Sequence, residues 1–434
     1  MKTLTLDIDG FDYNARGVAR HDGKTAFVGG ALPGERVVAR ITADKKRFLE
    51  AETVQILTPS PDRIAPACAH YDDCGGCGGC ALQHVSDTAQ HRLKESVWLE
   101  QLARIGKTAP ARVLPAISGD PWHYRSRARL AWDDARQTLG FRGRASARVV
   151  NIERCLTLPQ AISARLPDIR ALCRQLAQQT AIHGVDISEG DGVTVLRIRL
   201  QDAIGDRLVA ATAARWNETA AQPWQIWLQS GHDRVTKHPA AAPPLAYTLP
   251  AYGLTLPYTP DDFTQVNKAL NRELVAIALA ALDFQPGERV LDFFCGLGNF
   301  SLPLAHSGAE VLGLEGVDEM VARANANAAA QGLADRCQFR RADLFAVTPK
   351  QLQGWGRAGR WLLDPPRAGA QALCAALDTK HAPARIVYVS CNPGTLARDA
   401  AILTQKGYRM ESGRLLHMFA QTAHVESLAV FVRD

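Results

Sequence analysis

The chain has 434 residues, 47% of them hydrophobic, with ten cysteines and a formal charge of +6. That length exceeds one ordinary domain and supplies apolar material for two or three cores, which excludes a small scaffold dependent on disulfides. "MKTLTLDIDG" has no apolar run behind its basic residue, and no stretch of about 18 apolar residues occurs, so a soluble cytoplasmic protein without a membrane span is expected.

Residues 1 to 57 alternate short β-rich runs ("TLTLDI", "KTAFVG", "ERVVARI", "AETVQIL") with Gly and Pro turns, which predicts a small barrel. A proline-rich linker, "TPSPDRIAPAC", leads into a cysteine loop, and "TAQHRLKESVWLEQLARI" after it has helical periodicity. From His123 to Arg154 eight arginines stand against three acids, a net of +5, whereas residues 1 to 60 carry nine Lys/Arg and eight Asp/Glu. The basic excess therefore sits just past the loop. Arg125, Arg127 and Arg129 alternate, so on a strand they would share one face, either RNA-binding or merely solvated. Residues 122 to 252 mix strands with one helix, "ISARLPDIRALCRQLAQQ". From Leu254 onward strands ("RVLDFF", "EVLGLE", "RWLLD", "RIVYVSC", "ESLAVFVR") alternate with helices, which predicts a parallel sheet covered on both faces.

The loop "CAHYDDCGGCGGC" places Cys68, Cys74, Cys77 and Cys80 within thirteen positions. In a reducing compartment so tight a group points to metal rather than to disulfides, and thiolates suit zinc and iron–sulfur clusters alike. Cys173, Cys337 and Cys374 read as small core residues.

In the C-terminal half, "VLDFFCGLGNFSLPLA" is a buried strand, a glycine turn and a helix, where a small polar ligand could approach the backbone at Gly296 and Gly298. The spacing is not the dinucleotide fingerprint, because Ser301 stands where a third glycine would be. Glu315, Asp343 and Asp364 fall after strand positions, and the first could accept hydrogen bonds from ribose hydroxyls. Cys391 ends an apolar strand, and the "NPG" behind it turns the chain out of the sheet, so its sulfur is expected to face the ligand crevice. His424 and Glu426 lie two apart at the start of a final strand, and a carboxylate there could act as general base or be simply solvated.

Taken together, "ARGVAR", C-x5-C-G-G-C, "FTQVN", "LDFFCGLGNF", "DPPRAG", "SCNPGTLARD" and "HVES" resemble the RNA uracil-C5 methyltransferase family, most closely its iron–sulfur members acting on 23S ribosomal RNA. The resemblance covers essentially the whole chain. It implies an α/β fold: a TRAM β-barrel over residues 1–57, a central α+β domain with the cysteine loop over 58–252, and a Rossmann-like methyltransferase domain over 253–434. It implies that Gln265, Phe294, Asn299, Glu315, Asp343 and Asp364 contact S-adenosylmethionine, that Cys391 is the nucleophile and Glu426 the base. It further implies a [4Fe–4S] cluster, with Cys155 as a distant fourth ligand, 23S ribosomal RNA as partner, and a monomer. Cys68, Cys77 and Cys155 are ligands in either register of the loop, while Cys74 competes with Cys80 because "GGC" is duplicated. The chain departs from the family's usual "DMFP" with "HMFA", carrying His417 and Ala420. The rival readings are a tRNA uracil methyltransferase, a noncatalytic zinc RNA-binding protein, and an enzyme methylating nitrogen or cytosine; "SCNPG" in place of "NPPY" argues against the last.

Overall fold

A computed structural model describes residues 2–71, 76–231, 234–378 and 381–433. The N-terminal runs form a six-stranded sheet in the order Thr3–Asp7, Arg36–Asp44, Phe48–Thr58, Lys24–Gly29, Arg16–His21, Gly10–Phe11. Alternate residues such as Ala19, Ala26, Val28, Val37 and Ala39 turn inward and make its core, as the period-2 patterning requires. All four strand runs expected there are present.

The middle of the chain forms a seven-stranded sheet, ordered Val149–Asn151, Thr138–Arg142, Arg127–Asp133, Ile182–Glu189, Thr194–Leu200, Trp224–Ser230, Arg234–His238. Helices Gln160–Leu176 and Arg207–Asn217 pack on it through Ile162, Leu166, Ile169, Val209 and Trp216. The expected central span of 58–252 does not hold together as one body. Strand Arg112–Val113 pairs in parallel with Arg409–Leu416 and becomes the edge of the C-terminal sheet, and helix Asp87–Gln101 packs beside Pro393–Gln405. The boundary at 252/253 falls within a hairpin, Ala246–Leu249 with Leu254–Pro257, whose Leu249, Leu254 and Leu256 join the C-terminal core. Pattern alone could not see this, because a two-residue strand and a short hairpin take their allegiance from distant partners.

The C-terminal sheet has eight strands, ordered Cys337–Arg341, Glu310–Glu315, Arg289–Phe293, Arg360–Leu363, Arg385–Ser390, Glu426–Val432, Arg409–Leu416, Arg112–Val113. The first five run parallel, and the near-continuous apolar sequences of the four inner ones follow from burial on both faces, whereas the edge strand Cys337–Arg341 alternates buried and exposed residues. Helix Lys268–Leu282 covers one face. The Asn267 side chain caps its start by accepting from Leu270 N at 3.1 Å, and Leu270, Leu274, Val275, Ala278 and Leu282 recur on its buried side. Strand Glu426–Val432 runs antiparallel between two neighbours, with Ser390 opposite Ser427 and Leu416 opposite Glu426. Cys173, Cys337 and Cys374 are core residues, as expected.

A satellite core of Ala15, Leu32, Leu82, Val85, Ala89 and Leu93, with Ala423 against it, joins the barrel, the exit of the cysteine loop, the linking helix and the C-terminal segment. Gln90, fully buried, is its polar tie: Nε2 donates to Leu82 O, Val85 O and Gln421 Oε1, and its own amide oxygen accepts from Gln421 N at 3.0 Å. Replacing Gln90 by Leu strands these buried partners and should lower stability by about 2–3 kcal/mol in denaturant melts.

Candidate active site

In a parallel sheet the carboxyl ends of the strands form one edge, and ligands bind there. Five of the sequence-predicted residues lie on that edge. Phe294 directly follows Arg289–Phe293, Glu315 ends its strand, Asp364 follows Arg360–Leu363, Cys391 follows Arg385–Ser390, and Asp343 lies two residues past Cys337–Arg341. Glu426 reaches the same edge by the opposite route, because its strand begins where the antiparallel neighbour ends. Extending the Ser390–Ser427 pairing by one step sets Cys391 opposite Glu426. His424 lies just before this strand rather than on it, and its ring nitrogens meet the Arg367 guanidinium at 2.9 and 3.2 Å.

The glycine turn is built for close approach. Gly298 has φ of +91°, and a Cβ there would lie 2.9 Å from the Phe339 ring and 3.0 Å from Leu302, so a side chain is both strained and obstructed. Phe294 also takes a left-handed φ of +63°, which the hydrogen bond from its N–H to Leu314 O holds, and its ring lies 5.7 Å from that of Phe345. The Glu315 carboxylate accepts from the N–H groups of Gly296, Gly316 and Val317, which immobilise it at the mouth of the turn. Asp343 accepts from Phe345 N at 3.0 Å. Asn299 exchanges two hydrogen bonds with the Asn271 amide and accepts a third from Tyr247 OH, so its amide ties the turn to the long helix. Gln265 lines a small cavity with Tyr247, Tyr258 and Asn271.

The edge is acidic, with Asp292 and Glu426 buried, Asp364 and Cys391 half-buried and Asp343 exposed. Burial pushes Glu426, 2% exposed, well above the ordinary carboxylate range, and the Asp364 charge adds to this. Burial raises Asp364 to about 7 and Asp292 to about 8, the latter against the lowering hydrogen bond from Ser301. The Cys391 thiol is pushed up to about 12, first by burial and then by the charges of Glu426 and Asp364, while Arg367 pulls it down. A proton held on Glu426 at neutral pH removes much of that repulsion, so thiol and carboxyl titrate as a coupled pair. Asn392 caps the helix behind Cys391 by accepting from Gly394 N, and its Nδ2 donates to Arg367 O, which fixes the loop that carries the arginine.

Sequence reading passed over Asp292, Arg367 and Tyr13. The first two lie inside or beside motifs it used. Tyr13 comes from the barrel: burial raises its phenol, the Arg367 charge lowers it and that of Cys391 raises it, so the N-terminal module lies within electrostatic range of both. Only the tertiary fold reveals that.

A second cluster lies in the middle of the molecule. Cys68, Cys77, Cys80 and Cys155 line one small cavity with Tyr71, Gln83 and Arg125. Their thiols are free. Burial raises Cys77, and raises Cys80 to about 12, with the neighbouring sulfurs adding to both. Cys74 lies outside the described residues. Arg127 and Arg129 share a face of strand Arg127–Asp133, as expected, but Arg125 precedes the strand and only Arg129 remains exposed. Arg127 turns inward to donate to Pro260 O, Asp262 O and Thr264, Arg125 borders the cysteine cavity, and Arg129 is exposed.

Comparison with known proteins places this geometry. The tRNA (Uracil-5-)-methyltransferase family matches residues 118–434, and the TRAM domain matches residues 1–54. The chain belongs to that family. It is 43% identical over 430 residues to the 23S rRNA (uracil(1939)-C(5))-methyltransferase RlmD of Neisseria lactamica, covering 98% of this chain and 94% of that one. Identity to the RlmD of Dechloromonas aromatica is 45% over 434 residues, covering 98% of each. The Pyrococcus abyssi tRNA (uracil-54, C5)-methyltransferase, solved with S-adenosyl-L-homocysteine, superposes with a TM-score of 0.73 at 22% identity over 99% of this chain and all of that one. That likeness establishes the shared fold. Protonation governs the reactivity of any thiol, Cys391 included. Arg367→Met removes the lowering cation, so the Cys391 pKa rises. Alkylation of Cys391 by iodoacetamide, followed by peptide mass spectrometry at pH 8, should slow several-fold, roughly tenfold per pKa unit gained.

Proposed function

We propose that the chain transfers a methyl group from S-adenosylmethionine to C5 of a uridine in 23S ribosomal RNA, through a covalent adduct between Cys391 and C6. The observation that carries this is the placement of Cys391 opposite Glu426 on the same sheet edge, beside a glycine turn shaped for a ligand. Relatives named as 23S rRNA enzymes, matched across 98% of the chain, support the RNA class.

Gln265, Phe294, Asn299, Glu315, Asp343 and Asp364 would hold S-adenosylmethionine. The fit rests on the carboxylate of Glu315, pinned by three N–H groups at the mouth of the glycine turn. When bound, this donor supplies a methyl group on a sulfonium. The protein's part is to make C5 reactive. The Cys391 thiolate adds at C6, and the electron pair of the C5–C6 double bond moves onto the ring as an enolate. Once C5 carries the methyl group, the Glu426 carboxylate takes the remaining C5 proton, the double bond reforms and the Cys391 sulfur leaves. Thiolate serves because it adds readily and departs readily. The uridine must leave its stack to reach this edge, where Tyr13 and Arg367 would meet it.

Cys68, Cys77, Cys80 and Cys155, which line one cavity, would hold a [4Fe–4S] cluster. A four-thiol donor set suits zinc and iron–sulfur clusters alike, and the resemblance to the iron–sulfur members of the family favours the cluster. The cluster's place is structural, between the central sheet and the loop.

The deciding assay is transfer of label from S-adenosylmethionine to unmodified 23S rRNA and to tRNA. Label as 5-methyluridine in 23S rRNA, abolished by Cys391→Ala, is expected; label in tRNA alone would move the substrate assignment. Glu426→Gln should methylate but retain a covalent protein–RNA species on denaturing gels, and normal release would remove the base assignment. Iron content should fall in Cys80→Ser and Cys155→Ser but persist in Cys74→Ser.

A further inference from the structure

Glu426 faces the nucleophile on one side, and on the other it borders an internal cavity of about 10 Å3, room for about one water. The polar groups on that cavity are His91, Lys94, His417 and Glu426. Glu426 Oε1 has no hydrogen-bond partner. Beyond the cavity, Lys94 Nζ lies 3.4 Å from His417 Nδ1 and donates to Phe419 O at 2.9 Å. On its other side His417 Nε2 lies 3.6 Å from Asp87 Oδ1, and His91 Nε2 lies 3.9 Å from Asp87 Oδ2, with the two imidazoles 4.1 Å apart. His417 Nε2, His91 Nε2 and Asp87 Oδ1 are buried atoms that make no hydrogen bond, their approach being ionic only. The series passes from Glu426, 2% exposed, through the His417 side chain, 3% exposed, to that of Asp87, 44% exposed.

We propose that Lys94, His417, His91 and Asp87 form a proton relay, completed by water in the cavity, that carries the proton taken by Glu426 from the buried active site to solvent. The proposal rests on the reading of Glu426 as the base. The stoichiometry requires an exit. A neutral C5–H and a cationic sulfonium become a C5-methyl group and a neutral thioether, so one proton leaves per turnover. Any proton that Glu426 holds beforehand must also go before it can accept from C5. RNA bound at the sheet edge would cover the front of the site, where Asp364 and Cys391 lie near the carboxyl, and this leaves the rear path. Burial lowers Lys94 to about 7 and His417 to about 4, so neither is locked in its charged form at neutral pH. Asp87, His91 and His417 are spaced as a metal trio would be, but Lys94 sets an ammonium against the far nitrogen of His417, and a neighbouring cation disfavours a dication. This segment also contains the chain's departure from the family pattern, with His417 opening "HMFA".

The test separates methyl transfer from release in single turnovers on 23S rRNA, comparing wild type, Asp87→Asn, His417→Ala and Glu426→Gln. Asp87→Asn and His417→Ala should transfer methyl within about twofold of wild type but release RNA about tenfold or more slowly, accumulating the covalent species. Added imidazole should restore release in His417→Ala, which a packing defect would not permit. Release at the wild-type rate in both variants overturns the relay. So does an equal loss of transfer and release that imidazole does not repair, or stoichiometric zinc in wild type that His417→Ala loses. If Glu426→Gln releases normally, the base assignment itself has failed; if it stalls while the other two do not, only the relay has.

Discussion

The antiparallel insertion of Glu426–Val432 beside Arg385–Ser390 is the constraint on which the candidate chemistry depends. Parallel strands deliver their carboxyl ends to one edge, and a strand of opposite direction delivers its beginning there. The Ser390–Ser427 pairing therefore brings a thiol and a carboxyl, 35 positions apart by their numbers, to the same spot. Main-chain hydrogen bonds set that register, and a slip of one residue would turn Glu426 to the opposite face.

Burial supplies the rest of the site's character. Four ionisable groups, Asp292, Asp364, Cys391 and Glu426, share one edge, and each is pushed toward its neutral form. Charges of one sign cannot all be expressed in so small a volume. The consequence is a site that conserves protons until ligands alter the balance. Arg367 is the cation set against this tendency, and its loop is tethered through Asn392 to the turn that bears Cys391. The buried groups behind Glu426 extend the same electrostatic problem to the surface.

The C-terminal segment before Glu426 is also where the domains meet. Ala81 and Leu82 at the exit of the cysteine loop donate to Gln421 O, and Tyr124 of the central region donates to Ala420 O. With Gln90, these bonds join the cysteine cavity, the barrel and the base into one continuous framework. A cluster held by Cys68, Cys77, Cys80 and Cys155 would thus brace the strand that carries Glu426 without entering the reaction.

Strand ends and motifs were legible in the sequence because period and turn chemistry are local: "LDFFCGLGNF", "LLDPPR" and "SCNPG" each announce a strand, a stop and a polar or reactive residue. Arg125, Arg127 and Arg129 show the limit of such reading. Alternation put Arg127 and Arg129 on one strand, but it could not say that Arg127 would be consumed by the carbonyls of residues 260 and 262. Nor could it assign strand Arg112–Val113 to the C-terminal sheet, or bring Lys94 and His417 to the cavity beside Glu426. The amino-acid sequence by itself determined the fold class, the family, and the nucleophile and base as candidates, since each is encoded in contiguous residues. The tertiary structure alone decided which cysteines share a cavity, which arginines stay free, and what stands behind the base, because those are contacts between segments up to more than 300 positions apart.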